Sequence, residues 1–224
     1  MTSNALKLIA LAAMTLDHVG LMLFPQYKWM RIVGRLAFPI FAFMIAEGCR
    51  YTHSRLRYFL QIALLGIGMQ VVLFVAVGSL YQSVFISFSL AILLIYGIDW
   101  AVKEKKKTAW ICVGFVALAI LFLCLGLPKI LDQTDYAIDY GIIGVLIPVV
   151  CYLAKDRKIR IFLFAVCLIA LAVDYGGIQW FGLMAVPLVG MYNYQKGKLR
   201  LKNLFYFYYP AHLGVIYLIE MLVK

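Results

Sequence analysis

The chain has 224 residues, of which 65% are hydrophobic and 14% charged, with a mean hydropathy of +0.94. This composition excludes an ordinary water-soluble domain, in which about half of the residues are apolar and about a quarter are charged. The net charge of +11 does not indicate nucleic-acid binding, because the basic residues lie in short segments between long apolar runs. The expected partner is therefore the lipid bilayer, and no nucleic acid is expected.

Apolar runs of about 20 residues, the length of a helix that crosses the hydrocarbon layer, follow one another along the chain. They lack the period-2 alternation of barrel strands. The predicted spans are 4–24, 31–51, 58–78, 84–102, 109–127, 137–154, 159–176, 178–194 and 204–222. The seventh and eighth are short and joined by Gly176-Gly177, so they are either two full crossings or a re-entrant pair. The sequence predicts an all-α, polytopic membrane helical bundle of about nine helices, in a single domain over residues 1–224.

The lysines and arginines predict an orientation. Four alternate gaps carry fifteen of them: Arg50, Arg55 and Arg57; Lys103, Lys105, Lys106 and Lys107; Lys155, Arg157, Lys158 and Arg160; Lys196, Lys198, Arg200 and Lys202. The intervening gaps carry Lys28, Arg31 and Lys129, and Lys224 ends the chain. Because cytoplasmic loops are enriched in these residues, the four basic gaps and the N-terminus are predicted to be cytoplasmic, in a multi-pass protein of the cell membrane.

Ionisable side chains at membrane depth are costly, so each one marks a candidate functional residue. They are Lys7, Asp17, His18, Arg35, Glu47, Asp99, Asp139, Asp174, His212 and Glu220. Asp99 and Glu220 lie near helix ends, where an interfacial position explains them.

Among these ionisable residues, Lys7 and His18 have the spacing that most specifically suggests a functional site. They are eleven residues apart, which places both on one stripe of a helix, roughly 16 Å apart along its axis. With the predicted orientation, Lys7 lies at the cytoplasmic mouth, where its charge suits a phosphate. His18 lies in the outer half, where an imidazole suits a general base. The alternative is a snorkelling lysine and a structural histidine hydrogen bond.

Four further residues are expected at the depth of His18. Asp17 and Arg35 lie in the first two spans, and Asp139 and Asp174 lie at the outer ends of spans six and seven. One of these carboxylates is expected to fix the histidine tautomer, and Arg35 is expected to balance the carboxylates. Pro39 is expected to kink the second span.

The last span begins with an aromatic run, NLFYFYYPAHLGVIYL, that contains Tyr209, Pro210 and His212. An aromatic run at a helix end is typical of the membrane interface. A polar kink lined by aromatic rings equally suits a cofactor channel, and both interpretations are kept.

Four separated segments occur in the order of a known family: LKLIALAAMTLDHVGLMLFP, RIVGRLAFPIFAFMIAEG, DYGIIGVLIP and FYFYYPAHL. Together they resemble the TraX family, which is named for a conjugation-associated protein that acetylates the amino terminus of F-pilin. That family is similar to a wider group of transmembrane acyltransferases, which includes heparan-glucosaminide acetyltransferase and polysaccharide O-acetyltransferases. In that group a basic residue and a histidine mark the first helix with the spacing of Lys7 and His18. Many members carry arginine where this chain has lysine.

The resemblance implies an acetyltransferase. Acetyl-CoA would bind from the cytoplasm with its phosphates near Lys7 and the basic loops, and its arm would pass between helices to an acceptor near His18. The acceptor would be an extracytoplasmic amine or hydroxyl, on a pilin-like peptide or an envelope sugar. His18 would act as a base or as an acetylated intermediate. The expected catalytic residues are His18, Asp17, Asp139, Asp174 and Arg35, and the expected cofactor-binding residues are Lys7, His212, Tyr209 and Glu47.

Metal-ligand spacings are absent from the sequence, so no metal is expected. Two other classes of function remain open. Buried carboxylates and histidines also serve proton-coupled transporters. A non-catalytic assembly protein of a conjugation or secretion apparatus is the other alternative.

Overall fold

The computed structural model describes residues 1–197 and 202–223, and within them the secondary structure is helical apart from one isolated parallel bridge between Gln82 and Ile138. Lys198, Arg200 and Lys224, which contribute to the predicted orientation, lie outside the described residues, as does the side chain of Lys202. The prediction of an all-α membrane protein is confirmed.

The α-helices are α1 (Ser3–Met22), α2 (Lys28–Gly34), α3 (Ala37–Tyr51), α4 (Arg55–Val77), α5 (Val84–Glu104), α6 (Lys107–Leu121), α7 (Leu127–Ile130), α8 (Gly141–Leu153), α9 (Arg157–Tyr175), α10 (Ala185–Gly190) and α11 (Lys202–Val223). A π-helical turn, Phe122–Gly126, joins α6 to α7, and a 3₁₀ helix, Gly177–Met184, leads into α10. Over the described residues these elements form nine segments that coincide with the nine predicted spans to within a few residues, the second of them broken between α2 and α3.

Five of the described segments are long and apolar enough to cross a membrane: Ser3–Met22, Lys28–Tyr51, Arg55–Val77, Val84–Glu104 and Lys107–Ile130. Gly141–Leu153 and Gly177–Gly190 are shorter apolar helices. At about 1.5 Å per residue, a helix of 13 residues reaches only about 20 Å, less than the hydrocarbon thickness. Gly176 and Gly177 both have positive φ, at 63° and 51°, and make the tight turn between α9 and the 3₁₀ helix.

The outward faces of α4 and α6 are apolar. Val75 is 80% exposed and Phe115 68% exposed, and neighbouring leucines, isoleucines and valines on both helices are also exposed. A soluble protein rarely exposes contiguous apolar faces along whole helices. Lipid is the solvent that such faces require.

The chain divides into two compact units, residues 1–44 with 161–224, and residues 45–160. In the first unit, the rings of Phe43 and Phe164 pack edge to face with their centroids 5.8 Å apart. In the second unit, α5 packs against α4, α6 and α8, and Ile92 and Val145 are fully buried. The single domain over residues 1–224 stays a prediction.

The second predicted span is broken between α2 and α3, at Arg35 and Leu36. Pro39 has no N–H to donate to the carbonyl of Arg35, four residues before it, and its ring crowds that carbonyl. The predicted effect of Pro39 is therefore present, and the break lies one turn before the proline. It places Arg35 at the end of α2 rather than inside a continuous helix.

Candidate functional site

The three ionisable residues predicted for the first span all lie on α1, which is continuous from Ser3 to Met22. Lys7 and His18 therefore keep the helical spacing that places them on one stripe, roughly 16 Å apart. Leu11, Ala13 and Met14 of α1 are buried in a cluster with Ala37, against which Tyr208 and Tyr209 also pack. This apolar layer holds α1 to its neighbours in the first unit.

Asp17 is held by two arginines. Its Oδ2 lies 2.6 Å from Nη1 of Arg31, and Nη2 of Arg35 lies 2.7 Å from Oδ1 and 2.8 Å from Oδ2. The side chains of Asp17 and Arg35 are 15% and 13% exposed. Charged hydrogen bonds of this length, largely shielded from solvent, are strong. The expectation that Arg35 balances a carboxylate is met at Asp17.

Gly34 permits the close approach of Asp17 to α2. A Cβ atom at this position would lie within 2.6 Å of Oδ1, Cβ and Cγ of Asp17. None of these distances is compatible with van der Waals contact. Only glycine at position 34 lets the carboxylate reach both arginines as it does.

Arg31 and Gln179 are parts of this arrangement that were not identified from the sequence. The sequence places Arg31 in a gap between spans, but it lies in α2, four residues before Arg35. The i, i+4 spacing of the two arginines is the sequence signal that places both on one helix face. Gln179, which is buried in the 3₁₀ helix, accepts a longer hydrogen bond of 3.4 Å from Nη1 of Arg35.

His18 contacts His212 of α11. Nδ1 of His18 lies 3.0 Å from Nε2 of His212, and Nδ1 of His212 lies 2.9 Å from the main-chain carbonyl oxygen of Tyr208. His212 is buried. The structure thus brings together two histidines that the sequence assigned to different roles, one catalytic and one cofactor-binding.

Aromatic rings surround the two histidines. The ring of Tyr208 stacks on His212 with a centroid distance of 5.2 Å and an interplanar angle of 13°. Tyr209 packs its ring edgewise against His212 and His18, at 5.4 and 6.2 Å. Thr15 donates to the carbonyl of Leu11, so the hydroxyl of Tyr208, 2.7 Å away, donates to Thr15. Thr15 and Tyr208 were not identified from the sequence.

Lys7 lies one turn into α1, where Lys196 acts on it as a like charge. The segment that carries Lys196 is bound to the start of α1, because Ser3 donates its N–H to the carbonyl of Gln195 at 2.8 Å and its hydroxyl to the carbonyl of Lys196 at 3.1 Å. Two lysines held near one another provide an environment that suits an anion.

The remaining predicted catalytic carboxylates are Asp139 and Asp174. Asp174 is exposed in the last turn of α9, and among the described residues no contact joins it to His18 or Asp17. Asp139 belongs to the second unit, where Tyr81 donates its hydroxyl to Oδ1 at 2.7 Å and Ser87 donates to the main-chain carbonyl at 2.6 Å. The convergence of Asp139 with His18 stays a prediction.

Glu47 forms a buried ion pair with Arg160 in the second unit. Nη1 of Arg160 lies 3.1 Å from Oε1 of Glu47, and both side chains are 3% exposed. Arg160 also donates from Nε to the carbonyl of Ala154 at 3.0 Å. The sequence places Arg160 with a basic loop, but it is a buried residue of α9. The assignment of Glu47 to a cofactor site stays a prediction.

The chemistry available in the first unit is that of an imidazole packed against aromatic rings, beside a cluster of one aspartate and two arginines. His18 offers one ring nitrogen beyond the one that contacts His212, and that nitrogen can take a proton or an acyl group. Among the described residues there is no group of three or more histidine, cysteine, aspartate or glutamate side chains that could hold a metal ion.

Sequence comparison gives a family and several relatives. A family model described as TraX protein matches residues 2–220. The uncharacterized protein RP591 of Rickettsia prowazekii (strain Madrid E) is 28% identical over 186 residues, 83% of this chain and 67% of that protein. Protein TraX of Escherichia coli is 30% identical over 169 residues, 75% of this chain and 62% of that protein.

A shorter match is to the probable fimbrial assembly protein FimC, serogroup H1, of Dichelobacter nodosus, which is 33% identical over 66 residues, 28% of this chain and 27% of that protein. This chain thus spans 67% and 62% of the lengths of the Rickettsia and Escherichia relatives. No solved structure matches it.

Proposed function

The chain belongs to the TraX family, and from that premise we propose that it is a membrane acetyltransferase. It moves an acetyl group from cytoplasmic acetyl-CoA to an amine or hydroxyl on the other side of the cell membrane. The observation that carries this proposal is His18, an imidazole within an apolar helix, hydrogen-bonded to His212 and on the same stripe as Lys7.

His18 serves the chemical step. The acceptor nitrogen or oxygen bonds to the carbonyl carbon of the thioester, and its proton passes to the ring of His18. The carbon–sulfur bond breaks, and the departing CoA thiolate takes the proton. In the alternative order, His18 itself takes the acetyl group and passes it to the acceptor. Both routes give the acetylated acceptor and CoA thiol.

Lys7 and Lys196 bind the acetyl donor, acetyl-CoA. Their paired positive charge at the start of α1 suits the phosphates of CoA, while the separation of roughly 16 Å between Lys7 and His18 is about the length of the pantetheine arm. Tyr209 and His212 flank the place where the thioester meets His18. The first unit thereby holds both ends of the donor along one helix.

Asp17 and Arg35 support the site from beside His18. The cluster of one carboxylate and two guanidinium groups, counted with Arg31, leaves one excess positive charge. Fixed positive charge near a reacting carbonyl stabilises the oxyanion that develops there. The cluster thus favours acyl transfer even though none of its members is the base.

A pilin-like peptide is the favoured acceptor. The family is named for a protein that acetylates the amino terminus of F-pilin, and the Dichelobacter relative is named a probable fimbrial assembly protein. The resemblance to polysaccharide O-acetyltransferases makes an envelope sugar the second acceptor. The name of that same relative also favours one non-catalytic function, assembly of a fimbria-like structure.

Transfer of labelled acetyl from acetyl-CoA tests the enzyme proposal. The purified protein in lipid vesicles is offered a peptide with a free amino terminus or a disaccharide, and release of CoA thiol is followed in parallel. We expect transfer by the wild type and a loss of at least about 100-fold in His18→Ala, the range that a general base contributes.

His53, an exposed histidine outside the helices, is the matched control. His53→Ala is expected to leave transfer unchanged. Equal transfer by His18→Ala would contradict the role of His18. Absence of CoA release from every variant and every acceptor would favour the assembly function, and proton-linked solute flux without transfer would favour a carrier.

A further inference from the structure

The main-chain carbonyl of Tyr208 determines where the proton of His212 lies. A carbonyl oxygen only accepts hydrogen bonds, so Nδ1 of His212, 2.9 Å away, carries the proton. A neutral imidazole has a single N–H. Nε2 of His212 therefore carries the lone pair and acts as an acceptor.

The same reasoning passes from His212 to His18. Nε2 of His212 lies 3.0 Å from Nδ1 of His18, and since Nε2 accepts, Nδ1 of His18 donates. The neutral ring of His18 then has its lone pair on Nε2. One carbonyl of α11 thus fixes the tautomers of two rings in succession.

We propose that His212 is a positioning residue that holds His18 in its Nδ1–H tautomer and makes Nε2 of His18 the reacting nitrogen. This inference rests on the proposed function for the reaction that Nε2 performs. The tautomer itself is a property of the protein without substrate, so it can be tested separately.

The sequence predicts that a carboxylate fixes the tautomer of His18, but the imidazole of His212 lies at that ring nitrogen. Asp17 is adjacent to His18 in sequence, but its two carboxylate oxygens are engaged by Arg31 and Arg35. His212 is instead placed at the ring nitrogen, stacked on Tyr208 and buried. A stacked, buried ring has little freedom to turn, so the direction of its lone pair is fixed.

The hydrogen bond gains strength during the reaction. When Nε2 of His18 takes the proton of the acceptor, the ring becomes a cation and its Nδ1–H donates to His212 as a charged group. When the CoA thiolate removes that proton from Nε2, the starting tautomers return. A hydrogen bond that strengthens as charge develops lowers the barrier rather than only aiding binding.

Two amide substitutions of His212 separate the effect of where the hydrogen-bond acceptor lies from the effect of losing the imidazole ring. The glutamine amide reaches about as far as Nε2 of histidine, so His212→Gln keeps an acceptor for Nδ1–H of His18. The asparagine amide reaches only about as far as Nδ1, so His212→Asn keeps the contact with Tyr208 and loses His18. We expect His212→Gln to retain transfer within about fivefold, and His212→Asn to lose about 10- to 100-fold in kcat with little change in KM for acetyl-CoA.

Nitrogen-15 NMR of the histidine-labelled wild type tests the tautomer without substrate. The chain has three histidines, so the His53→Gln and His212→Gln variants assign the signals. We expect His18 to carry its proton on Nδ1 in the wild type and in His212→Gln, and to populate both tautomers in His212→Asn.

A wild-type His18 protonated on Nε2 would overturn the inference, as would equal transfer by the glutamine and asparagine variants. Neither result bears on whether the protein transfers acetyl groups. Conversely, a wild type without transfer but with the expected tautomer would overturn the proposed function and leave the positioning of His18 by His212 intact.

Discussion

The guanidinium of Arg35 binds both carboxylate oxygens of Asp17, at 2.7 and 2.8 Å, and so ties the end of α2 to the C-terminal half of α1. Arg31 adds a third charged hydrogen bond, of 2.6 Å, to the same carboxylate. The aspartate beside His18 is therefore a cross-link between helices, and its removal has a predictable effect on stability.

Asp17→Asn keeps the shape of the side chain and removes its charge, leaving two guanidinium groups without their counter-ion. Breaking a fully buried pair costs about 3–5 kcal/mol, and because this one retains some exposure we expect a loss of about 2 kcal/mol. Thermal unfolding in detergent micelles measures it. Asp132→Asn, at an exposed loop position, is the control and is expected to be neutral. An unfolding temperature of Asp17→Asn equal to that of the wild type would show that the arginines are solvated without the carboxylate.

Gly34→Ala tests the same contact from α2. The added methyl group overlaps Asp17 and must displace it, which we expect to cost about 1–3 kcal/mol, as overpacking does. Gly68→Ala in α4 adds the same atom where nothing lies within 4 Å, and there the higher helix propensity of alanine is expected to be neutral or stabilising. Equal unfolding temperatures for the two variants would contradict the contact.

The buried pair of Glu47 and Arg160 predicts a stability effect in the second unit. Glu47→Gln leaves Arg160 charged and buried, so we expect a loss of about 3 kcal/mol, whereas the double variant Glu47→Leu with Arg160→Met is expected to recover most of it. Denaturant unfolding of the single and double variants measures the difference. Glu104→Gln, from an exposed pair with Lys106, should change stability by less than about 0.5 kcal/mol. A Glu47→Gln protein of normal stability but weak CoA binding would instead assign Glu47 to the donor site.

Most of the helical framework could be predicted from sequence, because the apolar runs have the length that a bilayer requires and proline marks the break before α3. The tertiary contacts could not. His18 and His212 are 194 residues apart, and no local pattern shows which face of α11 meets α1. Arg160 illustrates the same limit. From sequence, a basic residue near the start of a helix cannot be distinguished from one in a loop, and only the tertiary structure shows its ion pair with Glu47. The i, i+4 arginines of α2 were the one available signal for the Asp17 cluster.

Lys7 is predicted to contribute to CoA affinity. Lys7→Met removes one of two neighbouring positive charges, and we expect about a tenfold weaker CoA affinity, with kcat nearly unchanged because the reacting atoms lie far from Lys7. Lys7→Arg keeps the charge and is expected to bind CoA at least as well. Titration calorimetry with CoA measures both. Lys129→Met, which removes an exposed lysine on the predicted outer side, is the control. A loss of CoA affinity there as large as that of Lys7→Met would assign the effect to the overall charge of the protein.

Sidedness of acetyl transfer tests the central claim most directly. Sealed inverted membrane vesicles enclose a peptide with a free amino terminus, and labelled acetyl-CoA is added outside, on the cytoplasmic face. We predict labelled peptide inside and CoA thiol outside for the wild type and His53→Ala, and neither for His18→Ala. Label appearing only on an acceptor placed on the same side as acetyl-CoA, or appearing equally in His18→Ala, would contradict transfer across the membrane at His18.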